Sequence, residues 1–64
     1  MNILIDDVEK LKCVEREIAM RRGVYPKWIA SGMLKQEKAD REIAVMEAIA
    51  VDYRDAIRTG GFRE

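Results

Sequence analysis

Apolar residues recur along the second half of the chain at Ala39, Ile43, Met46, Ala50, Tyr53 and Ile57, with spacings of four, three, four, three and four. That is the heptad seam of an α-helix, in which every such position returns to one stripe. On a wheel of about 100° per residue, Val45, Ile49 and Ala56 fall to one side of the seam and widen the apolar arc to roughly 140°, more than one helical neighbour needs. The second helix therefore calls for more than one covering surface. Asp40, Arg41, Glu47, Asp55 and Arg58 occupy its other side, which reads as solvated.

The first half repeats the pattern less cleanly. Leu4, Val8, Leu11, Val14 and Ile18 form one stripe, with Glu15 at its edge, either as a boundary residue or as a buried acid that pairs with an arginine to set register. Asp6 with Glu9 has the form of a capping box, and Asn2 offers a cap one turn earlier; the pattern leaves both starts open. Gly23 is a weak helix former, and Pro26 lacks the amide a continuing helix requires, so the first helix is expected to end between Arg22 and Tyr25. Pro26 then suits the first position of a short helical turn that Gly32 closes in a left-handed conformation. Lys35 is a poor N-cap for the next helix, while Gly60 and Gly61 stop it near Thr59. The expected organisation is one all-α domain: helices over about 3–23 and 35–58, an elbow over about 24–34, and a tail at 59–64. Such an elbow reverses the chain and makes the pair an antiparallel hairpin.

Length changes this picture. A chain of 64 residues buries only about 60% of the surface its unfolded form exposes, so its core is marginal. Self-association into a homodimeric four-helix bundle is the expected remedy, with Ala39, Ile43, Met46, Ile49, Ala50, Tyr53 and Ile57 as the core and dimer seam. The alanines permit close helix approach. Other staples are excluded: with no histidine and a single cysteine, neither a metal cluster nor a disulfide within the chain is available, and no cofactor is expected. The N-terminal apolar run is too short for a secretion signal, and nowhere do about 18 apolar residues run together. The chain reads as soluble and cytoplasmic.

Charge cancels in total, with Lys plus Arg and Asp plus Glu at 12 each, yet it is unevenly placed. Between Ile18 and Gln36 stand Arg21, Arg22, Lys27 and Lys35 with no acid, while Asp6, Asp7, Glu9, Asp52 and Asp55 gather at the opposite end of a hairpin, where Arg54 and Arg58 offset them. Two readings of the elbow follow. In one, Tyr25 and Trp28 fold back to plug the bundle end, and the arginines serve the helix terminus. In the other, Arg21, Arg22, Tyr25, Lys27 and Trp28 form a partner-binding surface, being the residue types that most often dominate interface energy. The two combine if Trp28 is partly buried and the arginines reach outward. Cys13 falls on the polar side of the first wheel, and Met20, Met33 and Met46 suit gap filling better than cofactor binding. The tetrapeptide REIA occurs at 16–19 and again at 41–44, and reads as coincidence because its flanks disagree. No catalytic constellation is present, so enzyme activity is not expected.

The run "REIAMRRGVYPKWIASGMLKQEKADREIAVMEAIAVDYR", residues 16–54, resembles a group of short helical proteins encoded by tailed phages and prophages of Gram-negative bacteria. Their shared pattern is an arginine-rich helix end, Val-Tyr-Pro-basic-Trp, a glycine turn and Ala-Asp-Arg-Glu-Ile-Ala-Val-Met-Glu-Ala-Ile. The resemblance implies phage origin and a helical fold, and nothing catalytic. Gly23 departs from it where a third basic residue is usual, and Lys35 where Ser or Thr is frequent. The expected function is a small non-enzymatic interaction protein that binds a host or phage protein and modulates, chiefly inhibits, its activity. The alternatives are a nucleic-acid accessory protein using the basic elbow, disfavoured by the neutral total, and a structural adaptor in a phage assembly. No membrane partner is expected.

Overall fold

In the computed structural model, which describes residues 4–60, the chain forms α1, Asp7–Ala30, and α2, Gln36–Arg58. Asp6 decides between the two possible starts: its carboxylate accepts the Glu9 amide at 2.9 Å, leaving α1 to begin one residue later. Asn2 lies outside the described residues.

The first helix does not stop at Gly23 or Pro26, and the separate Pro-initiated turn expected in the connection is absorbed into α1. A proline inside a helix costs about 3 kcal/mol against alanine, so something must outweigh it. Tyr25 is buried, Ile29 is half-buried, and both lie on the stripe that already holds Leu11 and Ile18, so ending the helix early would forfeit their burial. Arg22 and Pro26 are both exposed, where water can serve the carbonyl that Pro26 leaves without a donor. At Gly23 an added Cβ would meet nothing within 4 Å, so this glycine marks no close approach.

Gly32 is left-handed as expected, but it closes α1 itself rather than a separate turn. With φ at 81°, it donates its amide to Ile29 O at 3.1 Å, while Met33 donates to Trp28 O at 2.8 Å, the paired bonds of a Schellman cap. The connection is thus residues 31–35, within the two to five residues usual for a tight helical hairpin. Lys35 supplies no side-chain cap to α2. At the far end Thr59 caps α2, its hydroxyl donating to Asp55 O at 2.9 Å, and Gly60 is left-handed at φ 94°.

Tyr25 reaches Glu42, Arg22 reaches Glu47 and Glu15 reaches Arg54, so numbers rise on one helix as they fall on the other: the hairpin is antiparallel. Its core is thin. Ile18, Tyr25, Ala39, Ala50 and Ala56 are its buried hydrophobic residues, and three of these five are alanines, the small side chains that let helices approach. Of the seam positions, Ala39 and Ala50 are buried, Ile43, Met46 and Tyr53 half-buried, and Ile49 and Ile57 exposed. The accessible surface, 5299 Å², exceeds the roughly 4,200 Å² of a compact monomer of this mass. The radius of gyration, 14.7 Å, likewise exceeds the about 11 Å of a compact chain of this length. No described helix is long and apolar enough to cross a membrane.

Candidate functional site

Because the loop is short and the helices antiparallel, the hairpin has two broad faces of different chemistry. On one face Glu15 pairs with Arg54 at 2.8 Å and Arg22 with Glu47, both pairs spanning the two helices. Above and between them lie two shallow hollows, one near Pro26, Ile29 and Ile43, the other near Ala19, Ala50 and Val51.

The opposite face carries most of what the sequence marked as an elbow. Tyr25 is buried in the helix–helix contact, and its hydroxyl donates to Glu42 Oε1 at 2.8 Å while accepting from the Arg21 guanidinium at 3.2 Å. Arg21 also meets Glu17 at 3.4 Å and Glu42 at 3.6 Å. The Tyr25 hydroxyl, followed by Glu17, holds the Arg21 guanidinium still more firmly in its charged form. Arg21 is therefore a fixed cation tying the helices together.

This alters the basic patch. The sequence showed four cations without an acid nearby, but the fold brings acids to two of them: Arg21 lies against Glu17 and Glu42, Arg22 against Glu47. Of the four, Lys27 and Lys35 remain unpaired. The arginines thus turn across the hairpin rather than outward. At the open end, Arg54 and Arg58 pair with Glu15 and Asp55 and leave the N-terminal aspartates to Lys10, 4.0 Å from Asp7. Glu15 takes an arginine partner, as one reading held, but at an exposed position where such a pair contributes about 0.2–1 kcal/mol.

Trp28 stands beside Tyr25, ring centroids 5.7 Å apart and planes inclined at 37°, and remains 43% exposed. It borders a hollow of about 450 Å³ lined by Met20, Val24, Tyr25 and Leu34, with Arg21 and Glu42 at the rim. Further down the same face, a second hollow of about 650 Å³ is lined by Ile5, Cys13, Val14, Ile49 and Tyr53 together with charged residues. Lys10 stands over the Tyr53 ring at 5.7 Å there. Cys13 is exposed and free, as its position on the first wheel implied.

Sequence reasoning missed Glu17, Glu42 and Glu47 as partners of the elbow arginines. A signal for the first two was in view: they are the glutamates of the two REIA copies, and both meet on Arg21. Among the described residues no group of three or more metal-ligating side chains comes together.

The arrangement defines a two-helix hairpin with two cross-helix ion pairs on one face and, on the other, two hollows with exposed apolar residues on either side of the Arg21–Glu42 pair. No family model, no curated protein and no solved structure matches the chain.

Proposed function

We propose that this chain is a non-enzymatic interaction protein of a phage: the hairpin pairs with a second copy into a four-helix bundle, and the assembled protein binds a host or phage protein and lowers its activity. Phage origin rests on the resemblance carried by residues 16–54. The observation that carries the interaction reading is the uncovered face, where Met20, Trp28, Val45 and Ile49 are 39–53% exposed in a chain too small to leave them so at no cost. Exposed apolar surface rimmed by charged residues, here Arg21, Glu42, Lys10 and Glu9, is the kind that interaction sites present. The nucleic-acid reading loses support because Arg21 and Arg22 are engaged by acids of α2 and are not free for phosphates.

The test is expression of the tagged chain in a Gram-negative host. The wild type is expected to co-purify with one defined protein at fixed stoichiometry and to reduce that protein's activity when the two are mixed in purified form. Val45→Lys with Ile49→Asp is expected to keep the helical circular-dichroism signal and, by separating the paired copies, to lose the captured protein that binds their assembly. Recovery of the tagged chain alone would sink the modulatory reading and leave self-pairing standing.

A further inference from the structure

The uncovered face has a size, a relief and a charge pattern that together specify what covers it. Each helix is about 35 Å long, so the face they share is long and narrow, and a partner of the same length covers it from end to end. The face has a hollow at each end: Trp28, 43% exposed, borders the one at the elbow end, and the larger one, lined by Val14, Ile49 and Tyr53 with charged residues, opens at the other.

Two copies stacked on one face by a two-fold axis have two choices. An axis along the helices sets elbow on elbow. An axis across them sets the elbow of one chain on the open end of the other, with α1 over α1 and α2 over α2. Charge separates the choices. Residues 19–47, the elbow half, hold six cations and four acids, while the rest of the described chain holds five cations and seven acids. Stacking elbows together opposes like charges at both ends, whereas the crossed arrangement joins each end to its complement.

The residue spacing agrees. Lys38 and Asp52 each lie seven residues from Val45 on one helical stripe, and Lys27 and Cys13 each lie seven from Met20. Met20 and Val45 stand at nearly one level, beside the Arg21–Glu42 and Arg22–Glu47 pairs. An axis passing near both brings Lys38 to the partner's Asp52 and Lys27 to the partner's Cys13, one turn from the partner's Glu9. Trp28 then lies over the partner's larger hollow.

We infer that the apolar face is covered by a second copy of this chain in the crossed orientation, with Trp28 of each protomer seated in the Val14, Ile49 and Tyr53 hollow of the other. This rests on the self-pairing reading above and specifies its face and direction. It assigns Trp28 to self-association and leaves the ion-paired face on the outside of the bundle, free for a different protein.

The native chain has one cysteine, which makes the orientation directly readable. In Lys27→Cys, the new thiol and Cys13 are 14 residues apart on one helix. That is about 21 Å, far beyond the about 7 Å limit for a disulfide, so they join only between chains. Mild oxidation followed by peptide mapping is expected to give a dimer linked 13-to-27 in both directions, and Lys27→Cys with Cys13→Ser is expected to stay unlinked. Trp28→Ala is expected to raise the dimer dissociation constant at least tenfold in sedimentation equilibrium with helicity retained. A Lys27→Cys chain that stays unlinked or links only 13-to-13 or 27-to-27, or an unchanged dissociation constant in Trp28→Ala, overturns the orientation and leaves self-pairing intact. A wild-type chain that sediments as a monomer at micromolar concentration overturns both.

Discussion

The two broad faces of the hairpin are made by the same two helices, yet one is finished and the other is not. On the finished face, Glu15–Arg54 and Arg22–Glu47 reach from helix to helix and leave polar groups for water. On the other, Trp28, Val45 and Ile49 are 39–45% exposed around the Arg21–Glu42 pair, without an apolar layer above them. Cross-helix ion pairs set the register of a hairpin but add little stability at exposed positions. Apolar surface adds more, at roughly 25 cal/mol per Å² removed from water, but only once something covers it. The difference teaches that ion pairs of one face help set the register of the hairpin, while the other is a source of stability in the proposed dimer.

The comparison breaks most visibly at Ile49. Ile49→Asp places a carboxylate in the larger hollow of the uncovered face, where pairing would take it out of water at a cost that the bordering Lys10, Lys12 and Arg16 offset only in part. In sedimentation velocity the variant is expected to lose the dimer across the whole accessible concentration range, a weakening of at least a hundredfold. The equivalent charge on the finished face, Val51→Asp, is expected to leave association unchanged, since Val51 borders the Glu15–Arg54 pair and already faces water. Equal effects from the two substitutions would show that the faces do not differ in function.

Much of this asymmetry was legible beforehand. The unbroken heptad placed α2 within a residue of its observed start, and its wide apolar arc gave notice that α1 would not cover Val45 and Ile49. What failed was the end of α1. Gly23 and Pro26 were weighed as local breakers, although the stripe of Leu11, Val14 and Ile18 continues at helical spacing through Tyr25 and Ile29. Burial of that continuing stripe outweighed local propensity, the usual way tertiary structure overrides a single residue. The ion pairs were hidden for a linked reason. A connection of ten residues leaves the register between helices open, whereas residues 31–35 hold it tightly enough to bring Arg21 to Glu42 and Arg22 to Glu47.

Between the faces, inside the contact, the Tyr25 hydroxyl sharpens the comparison with a smaller effect. Tyr25→Phe keeps the ring against the core and removes a bond given to Glu42 and one accepted from Arg21. The two charged groups still face each other at 3.6 Å and reach solvent, so the loss is expected near 1 kcal/mol rather than the larger cost of stranding buried charges. For a domain of this size that lowers the thermal midpoint by about 4–8 °C. A shift much larger than this would mean that the network, rather than apolar packing, fixes the register of the hairpin.

The smallest expected effect lies on the finished face itself. Glu15→Gln removes the charge that Arg54 meets at 2.8 Å, with both side chains about half exposed. Exposed pairs of this kind contribute about 0.2–1 kcal/mol and are screened by salt. The variant is expected to melt within a few degrees of the wild type at low ionic strength, and the remaining difference is expected to vanish at about 1 M salt, where the screening length falls to about 3 Å. Dimer dissociation should be unaffected in both conditions, because the pair faces away from the surface where Trp28 seats. If Glu15→Gln instead weakened association as strongly as Ile49→Asp, the ion-paired side would be the one buried between copies, and the roles of the two faces would have to be exchanged.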